Sequence, residues 1–541
     1  MMTLASDRRT LLRNVALGSG LLLLPAHAIA ALWPARGFTH SVASGEPAAD
    51  SVLLWTRYAG GAGAVPMRVE VAREPGFGRI VARGEGVADP AHDWCVRATV
   101  TGLEPGRWYF YRFVAADGSR SAVGRTRTLP VGRTAKFNVA VFSCANKPFG
   151  YFNAYAHAAA RADIDLVVHL GDYLYEYAPG KYPALNEAVA GRDILPATEI
   201  VGVDDYRLRY ASYRADADLA ALHRRFPMIS IWDDHEIAND AWKEGAENHD
   251  PATQGPWAVR KANATQVHRE WLPISDKAYN RYDIGDLVSL ITLDTRVEGR
   301  DRQLDLAAAM KTGKPGLLAF HDGAWSDPKR TLMGFEQEAW AARQLQGSVA
   351  SGIKWQLVAQ QIVMGNLLTP PDAASWLGAD AGAPAKAYVG AGIMAGQLGI
   401  PGNMDSWGGY APARSRLLQA AQAANANLVV VSGDSHNAWA FDLADGGKPA
   451  GVEFAGQGVT SPGFEAALKA DPAVVAAGLV KGNPELKWCD TARRGYLSVT
   501  FTPEAARSDW VFVDTIRTPT TRTGRGQAAV TRRGTNRMAL V

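Results

Sequence analysis

The sequence predicts an α/β protein, a layered sheet domain flanked by helices and preceded by a smaller antiparallel β domain. Three observations predict it. From about residue 135 onward, apolar strand-like runs recur between helical stretches, the pattern of α/β layers. Three of these runs end in Gly171-Asp172, Asp233-Asp234-His235 and Gly433-Asp434-Ser435-His436, at the strand ends where open sheets place their chemistry. Before residue 130 the chain instead reads as short strands separated by turns.

The chain has 541 residues, more than one ordinary domain accommodates. A hydrophobic content of 47% with 21% charge excludes a disordered protein. A net charge of +3 gives no global reason to bind nucleic acid. Three cysteines, Cys95, Cys144 and Cys489, make no disulfide framework, although a Cys95–Cys489 pair stays open. Residues 1–30 read as a signal peptide. A basic start with Arg8-Arg9-Thr10-Leu11-Leu12 leads into a short apolar run and then small residues at Ala26, Ala28 and Ala30. The paired arginines have the form of a twin-arginine signal, an export route for proteins already folded. No later stretch is long and apolar enough for a membrane helix, so the expected product is soluble, without a stable membrane anchor, and periplasmic or extracellular.

Within 38–130, strands are expected at 51–57, 67–72, 95–100, 108–113 and 121–128. Leu103-Glu104-Pro105-Gly106 before an aromatic strand resembles the fibronectin-type sandwich. A linker at 130–135 leads to the main domain, 135–514. Its expected strands are 137–142, 164–170, 228–232, 286–293, 355–358, 427–431, 451–454 and 496–501. Helices are expected at 154–161, 204–223 and 256–272. The Gly-, Ala- and Pro-rich stretch 370–402 reads as a long loop at the cleft. Residues 515–541 form an Arg-rich tail, with arginines at 517, 522, 525, 532, 533 and 537. It is either simply solvated or helps to hold an anionic substrate.

Hydrolysis of a phosphate ester needs a nucleophile at working pH and cations for the phosphoryl oxygens, and two metals supply both. Asp172 is the candidate bridging carboxylate. Further donors stand at Cys144, Tyr175, Asp234, Asp434 and His436. Thiolate, phenolate and imidazole suit a redox-active ion, best iron(III), which groups Cys144, Tyr175 and His436 with Asp172. Oxygen donors suit Ca²⁺ or Mg²⁺, which groups Asp234 and Asp434, with Asn239 left open.

These motifs, together with Leu293-Asp294-Thr295-Arg296, the twin-arginine signal and the N-terminal β domain, resemble the PhoD-like phosphatase family within the calcineurin-like metallophosphoesterases. The resemblance runs from about residue 38 to 514. It implies the metallophosphoesterase fold, a β-sandwich flanked by helices. It also implies phosphomonoesterase and phosphodiesterase activity with Fe³⁺ and Ca²⁺, in which a metal-bound hydroxide or oxide attacks phosphorus. Small phosphate esters are the implied substrates, phospholipids or other diesters a further range, phosphate acquisition the purpose, and the twin-arginine machinery the partner during export. Residue by residue it implies Cys144, Asp172, Tyr175 and His436 for iron, and Asp172, Asp234, Asp434 and less surely Asn239 for calcium. His235 matches the catalytic histidine. Asp-x-His of the wider group is replaced by Ser143-Cys144-Ala145, which sets this chain apart from a di-zinc or di-manganese site. Gln360 or Gln361 is the candidate for the wider group's intermediate histidine position.

Other residues divide between structure and chemistry. Arg296 either clamps a phosphate oxygen or pairs with a neighbouring carboxylate. Asp233 is expected to cap or orient His235 rather than bind metal, Asp294 to be structural, Tyr173 and Tyr177 to pack, and Lys147 to be solvated or to reach phosphate. Glu46 facing the site stays open. Two rival functions are a phospholipase D-like phosphodiesterase and a non-catalytic secreted binding module.

Overall fold

A computed structural model describes residues 34–378 and 381–541; the expected signal peptide, residues 1–30, lies outside them. Two sheets lie face to face. The first has ten strands. Its centre is parallel and consists of β8 (Phe137–Phe142), β9 (Leu166–His169) and β10 (Pro227–Ser230). The second has seven, with a parallel centre of β12 (Val288–Thr292), β13 (Trp355–Ala359) and β14 (Leu428–Ser432). Val139, Val141, Val168 and Ile229 of the first meet Leu290, Leu357, Val429 and Val431 of the second in one dry core. Every residue of these six strands is buried, which is why they read as continuous apolar runs rather than alternating ones.

Helices cover both outer faces. Asn153–Ala160, Val203–Arg214, Ala217–Arg225 and Trp257–Trp271 pack on the first sheet, and Phe335–Ala350, Ala411–Ala424 and Pro472–Gly482 on the second. The result is an α/β/β/α sandwich. The expected helix 204–223 is two helices. Asp216 breaks it because its carboxylate accepts from the Asp218 and Leu219 amides and starts the second. The expected loop 370–402 contains the helix Ala383–Gly396. Its Gly and Pro content suggested a loop, but its alanines favour a helix and the Pro sits at the first turn, where it is tolerated.

The N-terminal β region does not stand apart. β1 (Gly37–Gly45), β2 (Val52–Ala59) and β5 (Cys95–Val100) extend the first sheet, because β1 pairs in parallel with β10 through Ser44–Pro227 and Gly45–Met228. A side chain at Gly45 would meet the Pro273 and Met228 carbonyl oxygens at 2.0 and 2.7 Å, so the pairing needs glycine. A four-stranded antiparallel sheet, β4 (Ile80–Ala88), β3 (Val65–Ala72), β6 (Trp108–Ala115) and β7 (Gly124–Arg127), covers that extension.

The C-terminal segment is no loose tail. β20 (Gln527–Arg532) and β21 (Met538–Leu540) close the opposite edge of the ten-stranded sheet. Ala529 and Thr531 are fully or almost fully buried, a two-residue alternation that the arginines mask. Cys95 and Cys489 are buried free thiols on different sheets, not a disulfide. Among the described residues no helix is long and apolar enough to cross a membrane.

Candidate metal centre

β8, β9, β10 and β14 end at one edge of the sandwich and run directly into Ser143-Cys144, Gly171-Asp172, Asp233-Asp234-His235 and Gly433-Asp434-Ser435-His436. In-register pairs such as Phe142–His169 and Ser230–His169 bring the loops level with one another. Gly171 lets two of them touch. It has φ +102°, and a side chain there would fall 2.1 Å from the Asp233 amide nitrogen.

Four of the expected ligands adopt left-handed backbone conformations, with φ of 58° at Cys144, 52° at Asp172, 58° at Asp434 and 61° at His436. Each costs a non-glycine residue about 1–2 kcal/mol, so four in one place mark a site whose surroundings impose its geometry. The surroundings are explicit. The Cys144 amide donates to Gly171 O at 3.2 Å, the Ala145 amide to Asp172 O at 2.8 Å and the Ser461 amide to Cys144 O at 3.2 Å.

The side chains form three overlapping groups, in each of which donor atoms lie within 4.8 Å of one another: Cys144, Asp172 and His436; Asp172, Asp234 and His235; Asp233, Asp234 and Asp434. Tyr175 joins the first. Its hydroxyl lies 2.8 Å from Asp172 Oδ2, 3.3 Å from His436 Nε2 and 2.7 Å from Ser461 Oγ. Buried Arg209 binds the Tyr175 carbonyl and holds that loop. Asn239 stands at the rim, its amide NH₂ donating to Glu247 at 2.6 Å.

The donor set fits cations. Asp172 Oδ1 and Asp233 Oδ2 are buried and have no hydrogen-bond partner, an arrangement that costs free energy unless a positive charge faces them. Burial pushes the Asp434 carboxyl up to about 7 against the attraction of Arg296, with repulsion from Asp405, Asp234 and Asp172 adding to the rise. Asp405, then burial, pushes Asp240 up to about 8. Burial, then Asp172, raises the Cys144 thiol and the Tyr175 phenol well above their usual ranges. Ligation by either needs a cation to draw off its proton.

Several expectations change. Arg296 does not present a free guanidinium to substrate. It is fully buried and binds Asp233 through Nε, Asp405 through Nη1 at 2.7 Å and Asp434 through Nη2 at 2.5 Å. The ion-pair reading holds because all three nitrogens are occupied. Asp233 therefore anchors Arg296 rather than orienting His235. That second task falls to Glu176, whose Oε2 lies 2.7 Å from His235 Nδ1. Lys147 is buried and donates to Ser212 O at 3.0 Å. Gln361 bonds to Thr295, Trp232 and Leu293, and Gln360 to Ile362 and Trp407, which leaves neither amide as a ligand. Glu46 accepts from Tyr282 at 2.8 Å, in a recess lined by Ser230, Lys261 and His268. Asp294 takes the Trp232 indole at 2.7 Å and the amides of Arg296 and Val297, a structural duty. Tyr173 pairs with His223, and Tyr177 packs on His235.

Sequence reasoning missed Glu176, Asp405, Asp240 and Ser461. Glu176 sits beside Tyr175, and its acidic character was the available signal. The other three carry no local motif.

A family model described as "PhoD-like phosphatase" matches residues 139–510, and one described as "PhoD-like phosphatase, N-terminal domain" matches residues 26–130. The chain is 34% identical over 498 residues to alkaline phosphatase D of Bacillus subtilis (strain 168), covering 87% of this chain and 77% of that one. It is similar to a solved structure of PhoD at 29% identity and TM-score 0.76, covering 94% of this chain and 92% of the other. Purple acid phosphatase PPD1 from yellow lupin (Lupinus luteus) seeds shares the fold at 12% identity and TM-score 0.55, over 91% of this chain and 74% of the other. The chain thus has a metallophosphoesterase fold with a cluster of side chains able to hold metal ions at its strand ends, belongs to the PhoD-like phosphatase family and is a phosphoric ester hydrolase.

Proposed function

We propose that this centre hydrolyses phosphate monoesters and phosphodiesters with an iron–calcium pair. The observation that carries the proposal is the split of donor chemistry across Asp172. Cys144, Tyr175 and His436 gather on one side, and Asp234 and, beyond it, Asp434 on the other. The first set suits Fe³⁺ and the second Ca²⁺, with Asn239 as a further oxygen donor for calcium. When bound, such a pair lowers the pKa of water and offers positive charge to phosphoryl oxygens.

The chain's own residues do the rest. Asp172 faces both donor sets. His235, held by Glu176, directs its other ring nitrogen at the phosphate or the leaving oxygen as hydrogen-bond donor or acid. Arg296 gathers Asp233, Asp405 and Asp434 so that the oxygen donors keep one geometry. No serine or threonine nucleophile is needed. The twin-arginine signal supports export of the folded protein to the periplasm or beyond, where the activity would release phosphate from organic esters.

Metal content and hydrolysis of a monoester, a diester and a phospholipid, measured on protein exported by its native host, test the reading. Iron and calcium with monoester and diester turnover are expected, and dominant phospholipid turnover would make the enzyme phospholipase D-like. Absence of both metals, with no activity regained on adding them, overturns it.

A further inference from the structure

The strand Lys448–Ala455 runs parallel to β14, with Ala455 beside Ser432, so residues 456–463 leave it at the edge where the candidate ligands gather. Three neighbours in this segment, Thr460, Ser461 and Pro462, bond to Cys144, Tyr175 and His436. The Thr460 and Ser461 amides donate to Cys144 O at 3.3 and 3.2 Å. Pro462 O accepts from His436 Nδ1 at 2.8 Å. Ser461 Oγ lies 2.7 Å from Tyr175 Oη and 3.0 Å from Cys144 O. Ser461 and Tyr175 are both buried.

The protons around Tyr175 Oη can be counted. A carbonyl only accepts, so His436 Nδ1 carries a proton and Nε2, 3.3 Å from Tyr175 Oη, is left to present the lone pair. The ionised Asp172 carboxylate, 2.8 Å away, also only accepts. Of these three neighbours, then, Ser461 alone can donate to the phenol oxygen. An oxygen that ligates a cation has given up its own proton. The Ser461 hydroxyl has one hydrogen, and Cys144 O keeps two amide donors without it. A charged acceptor also holds a hydrogen more strongly than a carbonyl does. The hydrogen therefore belongs on the phenolate, where it draws electron density from the oxygen and weakens its donation to a metal.

We propose that Ser461 is a positioning residue for Tyr175, whose hydroxyl is the hydrogen-bond donor that fixes the phenolate oxygen and moderates its donation to iron(III). The inference rests on the iron reading of the Cys144 group given above.

Ser461→Ala, compared with the wild type at equal iron content, tests it. Without the hydrogen bond the phenolate gives up an electron more easily. Its charge-transfer band to iron(III) should move to longer wavelength by tens of nanometres, and the iron(III)/iron(II) midpoint potential should fall. In the wild type, resonance Raman spectra excited in that band should show the phenolate C–O stretch shifting after iron is removed and reloaded in D2O, because the Ser461 hydroxyl exchanges its proton. A coloured wild type with the band unmoved in Ser461→Ala overturns the inference and leaves the iron reading standing. A wild-type stretch indifferent to D2O does the same, and decides even where the variant does not fold. A colourless wild type that contains iron overturns both.

Discussion

Glu176 Oε2 lies 2.7 Å from His235 Nδ1, so the loop after β9 fixes the imidazole carried by the loop after β10. Glu176 is fully buried and His235 keeps only a small exposed edge. Burial opposes charge on both groups, yet each sustains the other. Glu176 is held below the usual carboxylate range by His235 and the Asn239 amide, and His235 is held well above the usual imidazole range by Glu176, Asp234 and Asp172. Glu176→Gln keeps the shape and removes the charge. If His235 serves the phosphate or leaving oxygen as proposed, kcat/KM should fall by about 10²-fold or more. The imidazole then loses its proton at lower pH, so the alkaline limb of the pH–rate profile should move down. An unchanged profile would show that Glu176 does not govern His235.

Arg296 is the guanidinium shared by Asp233, Asp405 and Asp434, of which Asp405 alone also pairs with Arg300. Removing one partner of a buried ion pair costs about 3–5 kcal/mol, and here three carboxylates lose it together. Arg296→Gln should therefore lower the denaturant midpoint of metal-free protein strongly. Added Ca²⁺ should recover part of the loss, because a dication replaces the missing charge. A variant as stable as the wild type without metal would remove this residue from the electrostatic account.

How much of this was legible in the sequence depends on the range of the interaction. Cys144, Asp172, Asp434 and His436 stood out because each follows a buried run, and chain order alone puts strand ends at one edge of a parallel sheet. Glu176 was in view but unassigned, because its partner His235 is 59 residues away and no local pattern carries that contact. Arg296 was ambiguous for a similar reason. Its motif identified a cation but not the carboxylate Asp405, which arrives from a Gly-rich loop 109 residues later. At the fold level, periodicity found the buried strands. It could not foresee that β1 pairs with β10, a parallel contact between distant segments whose signal is one glycine.

The Tyr175 hydroxyl sits between Asp172, His436 and Ser461, within 3.3 Å of all three. Should it ligate iron(III) as proposed, the loaded enzyme will be coloured by phenolate-to-metal charge transfer. Tyr175→Phe should abolish that visible band. It should also reduce the iron retained after dialysis against a chelator, while calcium binding changes less because Tyr175 lies with the Cys144 group. A colourless wild type containing iron would assign the phenol to packing.

Lys147 gives a stability prediction independent of metal. It is buried, with Nζ on the Ser212 carbonyl at 3.0 Å. Burial first, then repulsion from Arg192, lowers its pKa from 10.5 to about 8, with Asp216 offsetting part of the effect. The unfolded chain therefore binds this proton more tightly than the folded one. Between about pH 8 and 10.5 the unfolded state carries more protons, so stability rises with pH. The cost of keeping the ammonium buried is fully present below about pH 8 and amounts to about 3–4 kcal/mol at roughly 1.4 kcal/mol per pKa unit. Lys147→Met removes that cost together with the Ser212 hydrogen bond, worth about 1–3 kcal/mol to a charged donor. The absolute change at neutral pH is thus a difference of similar quantities, but its pH dependence is not. Denaturant unfolding from pH 7 to pH 10.5 should show the wild type gaining on the variant throughout the upper part of that range. Parallel curves would mean that Lys147 keeps its ordinary proton affinity in the fold.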